Sequence, residues 1–243
     1  MKRRFAVIFG RKQSDAAVLK RLHEARQGEA VAGARIFEPG SAPPLRLCSD
    51  DRVRFPPSVL ADIPDTASKV ARLKADVSRD MDVFAKNPRR LLDLYFAFIA
   101  ARLDAEGATL DRLLRPLGGV FRVEDWVFSA LRPLPNAAVF DADDAETAPV
   151  VASFDLTFWT GETALAVRLH GSGTPSPREE EACDRLRAIG AQIVTIPARD
   201  LATGVEIFSE SGFPDVFRSF WHGASYPCSP FRPQGLPASL ALG

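Results

Sequence analysis

The sequence has few of the features that identify a disulfide-bonded, zinc-binding or membrane protein. Its three cysteines, Cys48, Cys183 and Cys228, are widely spaced, form no CxxC pair and have no histidine at zinc-ligand spacing. We interpret them as thiols of a reducing cytoplasm. The longest apolar stretches, such as residues 94–101, are far shorter than the roughly 20 residues that a bilayer requires. We therefore expect a cytoplasmic protein with no membrane partner.

None of the six lysines lies in the second half of the chain, and the last of them is Lys86. The formal net charge is zero, yet residues 1–120 carry 22 Lys+Arg against 15 Asp+Glu, and residues 121–243 carry 9 against 16. This asymmetry predicts a basic face on the first half. One basic run either follows a phosphate backbone or is a mixed, solvated helix face, because aspartates are interspersed in it. The run comprises Lys69, Arg72, Lys74, Arg79, Lys86, Arg89 and Arg90.

The first 118 residues read as an α+β region with a helical middle. Arg4–Gly10 and Val31–Phe37 are predicted strands, and Ser14 and Asp15 form the predicted N-cap region of a helix that runs to Ala25. A hairpin is expected over residues 45–55. Apolar residues spaced three and four apart predict helices from residue 65 to 117, with Gly107 ending the central one. The expected domains are 1–118, 119–223 and a Pro-rich tail, 224–243.

The order of elements changes after Gly118–Gly119. A short helix is predicted over 123–131, followed by three strands, a helix and a last strand. The strands are expected at 137–140, 149–159 and 164–170, the helix at 178–189, the last strand at 192–197 and a further short helix at 215–221. This order predicts an α/β domain.

The stretch from residue 121 to 208 resembles the PD-(D/E)XK restriction-endonuclease-like superfamily, and within it the very-short-patch-repair-type endonucleases. The matching segments, in order, are Val123–Trp126 with Ala130–Leu131, Ser153–Leu156, Ala166–Gly171, Arg178 with Asp184–Leu186 and Gly190, and Ile193–Ile196. The resemblance implies that the sheet of this domain is mixed and flanked by helices. It also implies a divalent-metal-dependent phosphodiesterase in which an Asp on the second strand and a Glu on the third bind magnesium. A Lys two residues after that Glu shares its strand face, and a Glu of the first helix joins them.

Carried over residue by residue, the resemblance places Asp155 at the second-strand Asp and Glu124 at the helix Glu. Gly171 sets the register of the third strand, which places Arg168 at the Glu position and His170 at the Lys position. A guanidinium is electrostatically hostile to a metal, so we expect Arg168 and Asp155 to form a fork-shaped charge pair. In the alternative, Glu162 or Glu179 replaces the missing carboxylate and His170 acts as base or ligand.

Three functions remain open. The first is a nucleic-acid-associated protein with a degenerate nuclease fold that binds DNA or a protein partner and does not cut. The second is a divergent endonuclease that uses Asp155, Glu124 and His170 with magnesium. The third is a protein-interaction module that reuses the nuclease fold. Magnesium is implied only if the protein is an active enzyme.

Overall fold

A computed structural model describes residues 3–47, 65–81, 85–117, 121–144, 149–170, 176–208, 213 and 227. It divides into two compact units. The first unit comprises residues 1–45, 77–91 and 133–204, and the second comprises 46–76, 92–132 and 205–243. The boundary expected at Gly118–Gly119, the hairpin expected over 45–55 beyond Leu47, the helix expected at 215–221 and all of the tail except Pro227 lie outside the described residues.

The first unit contains a six-stranded mixed sheet in the order β2-β1-β3-β4-β5-β6. Its strands are β1 (Phe5–Ile8), β2 (Ala34–Phe37), β3 (Leu134–Asp141), β4 (Ser153–Trp159), β5 (Ala164–His170) and β6 (Gln192–Pro197). All neighbours pair antiparallel except β5 and β6, which are parallel. A parallel pair needs a crossover, and helix α4 (Pro177–Ala188) supplies it. The predicted α/β class, with a mixed sheet flanked by helices, is therefore confirmed.

The sheet combines strands from both sides of the domain boundary expected at Gly118–Gly119. β1 and β2, from the expected N-terminal region, extend the sheet because β1 pairs with β3. All four residues of β1 are buried, with alternate side chains in two different cores. A strand that is apolar on both faces is stable only in the interior of a sheet. β1 and β2 accordingly belong to the same unit as β3, β4, β5 and β6.

Each face of the sheet is covered by one helix of the first unit. Helix α1 (Asp15–Arg26), capped by the Ser14 hydroxyl as predicted, places Leu22 in a core with Ala6, Ile8 and Phe140. Helix α4 begins with a capping box between Ser176 and Glu179, which satisfies N–H groups at the helix start. Its apolar side packs in the second core, which includes Ala182, Cys183, Leu186, Phe154 and Trp159.

The second unit is largely helical. It includes helix α2 (Thr66–Ser78), most of helix α3 (Lys86–Leu114) and a 3-10 helix at Val123–Ser129, where the sequence predicts a helix over 123–131. The expectation that Gly107 ends the central helix is wrong, because α3 continues through Gly107 to Leu114. A glycine inside a helix costs only about 1 kcal/mol, which the buried Leu103, Leu110 and Leu114 around it offset.

Two further 3-10 segments lie at Arg115–Leu117, after α3, and at Ala198–Phe208, after β6. The second of them is interrupted at Gly204, whose φ is 84°. Phe208 packs against Tyr95 and Phe98 of α3, with ring centroids 5.8 and 5.5 Å away. Among the helices that the structure describes, none has a stretch long and apolar enough to cross a membrane.

A buried ion pair connects α2 to the 3-10 helix at Val123–Ser129. The Lys69 side chain is only 4% exposed, and its Nζ lies 3.0 Å from Asp125 Oδ1. The other carboxylate oxygen of Asp125 accepts the Arg122 N–H at 2.7 Å, so the same aspartate caps the 3-10 helix. Lys69 thus lies in the interior of the second unit, which fits neither of the two alternatives for the basic run, a phosphate-contacting surface or a solvated helix face.

We expect Lys69→Met to destabilise the protein by about 3 kcal/mol, because the substitution leaves the Asp125 carboxylate without its charge partner. Chemical denaturation followed by circular dichroism measures the loss. Lys74→Met is the matched control, since Lys74 and Asp93 form an exposed pair at 3.1 Å and such pairs contribute about 0–1 kcal/mol. Equal losses in the two variants would contradict the assigned role of Lys69.

Candidate functional site

Asp155 lies at a polar cavity of about 270 Å³ in the first unit. The cavity is bordered by the β1–α1 loop, the start of α1, the start of α3 and the strands β3 and β4. Besides Asp155, its polar lining consists of Arg11, Lys12, Gln13, Asp15, Asn136 and Ser153. Two exposed cations and two carboxylates therefore share one cavity.

The β3–β4 ladder is distorted beside this cavity. Pro135 lies opposite Leu156 and Ala137 lies opposite Phe154, so Asn136 and Asp155 fall between these pairs. Asn136 has a φ of 47°, and it is the one non-glycine residue with positive φ in the described parts of the chain. Its side-chain amide donates to the carbonyl oxygens of Gly10 at 2.9 Å and Asp80 at 3.1 Å. Left-handed residues held by side-chain hydrogen bonds are common at functional sites.

The Asp155 carboxylate is engaged by the backbone of the neighbouring strand. Its Oδ2 accepts the Leu169 N–H at 2.7 Å, beyond the last paired residues of the β4–β5 ladder, Leu156 and Val167. Burial raises the pKa of the Asp155 carboxyl, and this effect exceeds the opposing effects of the Leu169 N–H and of the positive charges of Arg168 and Lys12. Asp155 therefore acts as an acceptor for backbone in a partly desolvated setting.

Arg168 does not form the expected fork-shaped pair with Asp155. Its guanidinium donates to the Ser153 carbonyl oxygen at 3.3 Å and lies 5.1 Å from the centroid of the Phe154 ring. Arg168 lines a pocket with Cys183 and Glu180 of α4, whereas Asp155 lines the cavity beside Asp15 of α1. The two side chains turn towards different helices because the distorted ladder at Asn136 and Asp155 redirects the strand.

The other two site residues lie in different places. His170 ends β5, two residues after Arg168, and pairs with Pro197 of β6. Glu124 is a residue of the 3-10 helix at Val123–Ser129 and belongs to the second unit, whereas Asp155, Arg168 and His170 belong to the first. One Glu124 oxygen, Oε2, is buried and has no hydrogen-bond partner within the described residues.

One proposed replacement carboxylate already has a structural role. Glu179 Oε2 accepts hydrogen bonds from the backbone N–H and the hydroxyl of Ser176, each at 3.0 Å, and these bonds lower the pKa of Glu179. Its position in the capping box explains why it is ionised and fixed at the start of α4. Glu162, the other replacement, lies in the exposed turn between β4 and β5.

The donor set around Asp155 does not fit magnesium. Magnesium binds through hard oxygen ligands, usually one or two carboxylates with waters. At Asp155, one carboxylate oxygen already accepts an N–H, and the nearby charges of Arg168 and Lys12 are positive. Asp15 is the one other carboxylate in the described lining, and it shares the cavity with Arg11 and Lys12. In the described parts of the chain, no group of three or more His, Cys, Asp or Glu side chains could hold a metal ion.

We expect Asp155→Asn to leave the protein as stable as the parent or more stable at neutral pH, since the amide oxygen still accepts the Leu169 N–H and the desolvated charge is removed. The folded parent holds the Asp155 proton more tightly than the unfolded chain does. Its stability from this group therefore falls as pH rises from the unfolded pKa through the raised folded pKa, and the advantage of the variant shrinks towards about pH 4. Chemical denaturation at both pH values measures this difference.

Asp143→Asn is the control of opposite sign. Hydrogen bonds from the Arg4 backbone and guanidinium lower the pKa of Asp143, so this variant loses stability at neutral pH and the loss disappears on acidification.

Asp155→Ala removes the acceptor of the Leu169 N–H and should lower the free energy of unfolding by about 1–3 kcal/mol. A clear loss of stability in Asp155→Asn at neutral pH would show that the charge itself is needed.

No protein-family model, curated protein or solved structure matches this chain. The functional interpretation therefore depends on the geometry around Asp155 and on the resemblance of residues 121–208. Both concern the same strands, β4 and β5, and their neighbours.

Proposed function

We propose that this protein is a nucleic-acid-associated module with a restriction-endonuclease-like core, which binds DNA without cleaving it and acts in the cytoplasm. The order of elements supports the proposal. Three antiparallel neighbours, β3, β4 and β5, are followed by α4 and by the parallel strand β6. A short helix at Val123–Ser129 precedes them, as the resemblance implies.

The main support for the proposal is that Asp155 and Arg168 both form hydrogen bonds with the backbone of the sheet. The Asp155 carboxylate accepts the Leu169 N–H, and the Arg168 guanidinium donates to the Ser153 carbonyl oxygen and lies over the Phe154 ring. Cleavage by this class of enzyme needs two carboxylates that converge on a metal to activate water and stabilise the phosphate. A carboxylate and a guanidinium that face different helices supply no such crevice.

The cavity beside Asp155 offers a way to hold phosphates. Arg11 and Lys12 are exposed in the β1–α1 loop, and Gln13 and Ser153 add neutral hydrogen-bonding groups. Contacts of Lys and Arg with phosphates release counterions and bind DNA without reading its sequence. The excess of basic residues in the first half of the chain agrees with this placement.

We expect the protein to bind duplex DNA with an affinity that falls steeply with salt. The double variant Arg11→Gln/Lys12→Gln should bind more weakly and lower the slope of log affinity against log salt by about 2. Fluorescence anisotropy with a labelled oligonucleotide at several salt concentrations measures both. The matched control Lys20→Gln/Arg199→Gln removes two other cations with exposed side chains and should change little.

Binding that is independent of salt, or equal losses in both double variants, would remove the DNA-binding proposal. A stable complex with another protein and no DNA binding would favour the interaction module instead.

We expect no cleavage of plasmid or oligonucleotide DNA with magnesium or manganese, because the donor set at Asp155 does not fit a divalent ion. Gel electrophoresis of supercoiled plasmid after long incubation detects even single nicks. Purified Asp155→Ala is the control for contaminating nucleases. Metal-dependent nicking that is present in the parent and absent from this folded variant would establish the divergent endonuclease.

A further inference from the structure

A second and larger cavity of about 520 Å³ lies at the end of β3 in the first unit. It is bordered by the segment before β1, the last turn of α1, residues 149–150 and the C-terminal half of α4. Its volume lies in the range of about 300–1,000 Å³ that is typical of small-molecule sites. The proposed DNA contacts at Arg11 and Lys12 make no use of it.

One wall of this cavity is apolar. Phe140, Val150, Leu186 and Ile189 contribute to it. Val150 is 38% exposed, the one large hydrophobic residue classed as exposed within the described ranges. Ligand pockets are lined mainly by hydrophobic side chains, with a small number of polar groups. The wall is suited to a flat, apolar ring system.

The rim of the cavity is charged and includes the ion pair between Arg3 and Asp141. Asp141 uses both carboxylate oxygens, since Oδ2 accepts the Arg3 guanidinium at 2.5 Å and Oδ1 accepts the Asp143 N–H at 2.9 Å. Arg3 uses a single nitrogen in this contact, and its side chain is 61% exposed, so most of its N–H donors face outwards.

Asp141 and Asp143 belong to an acidic segment, residues 141–144, and both form hydrogen bonds with the segment before β1. Asp143 also accepts the Arg4 guanidinium, so these carboxylates fix the segment before β1 to the end of β3. The other charged residues that line the cavity are Asp144, Glu181 and Arg185, and Glu181 pairs with Arg185 at 2.8 Å.

A half-buried guanidinium lies deeper in the same cavity. Arg26, in the last turn of α1, lines the cavity and donates to the Asp141 carbonyl oxygen at 2.7 Å. Electrostatic attraction is stronger where water is partly excluded. A cation here, with Arg3 at the rim and Phe140 at the wall, favours a ligand that carries one acidic group on an aromatic body.

We propose that this cavity binds a small aromatic anion, with its ring system against Phe140 and Val150 and its acidic group near Arg3 and Arg26. This inference is independent of DNA binding. The probe is anilinonaphthalene sulfonate, which combines fused aromatic rings with one sulfonate. Fluorescence titration of the full chain should give one bound probe per chain, and the bound probe should raise the melting temperature because it binds the folded state.

Two substitutions test the two halves of the site. Ala188→Trp places a large ring in the cavity from an exposed position on α4, and Arg3→Gln removes the rim cation. Each should weaken probe binding by about tenfold or more. Ala101→Trp and Arg187→Gln are the matched controls, since both residues are exposed on helices and do not line the cavity. Val150→Gln replaces Ala188→Trp if circular dichroism shows that the latter does not fold.

The proposal is overturned if the cavity variants and their controls bind the probe equally. It is also overturned if several probes bind per chain and lower the melting temperature, since that result identifies a partly unfolded state. An affinity that survives Arg3→Gln but is lost in Ala188→Trp would contradict the acidic group and leave a neutral aromatic ligand.

Discussion

The hydrogen bond between the Leu169 N–H and the Asp155 carboxylate determines what the central strands can do. It forms where the regular β4–β5 ladder ends, and it satisfies a backbone donor that the ladder no longer pairs. A carboxylate used in this way is fixed and partly desolvated, and it has one oxygen fewer to offer to a ligand. The chemistry of the neighbouring cavity follows from that restriction.

The placement of Arg168 completes this arrangement. A guanidinium at the third-strand position is hostile to a metal, but the structure shows that it does not neutralise Asp155 by direct pairing. It instead satisfies the Ser153 carbonyl and lies over Phe154, on the side of α4. Both polar residues therefore satisfy backbone groups of β4 and β5.

The two cavities of the first unit differ in chemistry because they lie at different places around β3. The cavity beside Asp155 is lined by exposed cations, by the carboxylates of Asp15 and Asp155 and by apolar side chains of the strands and helices. The cavity at the end of β3 is larger, and it combines an apolar wall with charged residues of both signs.

The sequence by itself determined the elements whose signals are local. Ser14 lies in the predicted cap region of α1, where its hydroxyl accepts an N–H, and the apolar runs of β1, β5 and β6 form strands. It also placed Asp155 on β4 and Arg168 and His170 on β5, where the structure has them. Only the tertiary structure decided that β1 pairs with β3, that Gly107 remains helical and that Lys69 is buried against Asp125. It alone decided, too, that Asp155 and Arg168 turn towards different helices, because the left-handed Asn136 and the side-chain hydrogen bond of Asp155 override the two-residue alternation from which their directions would otherwise follow.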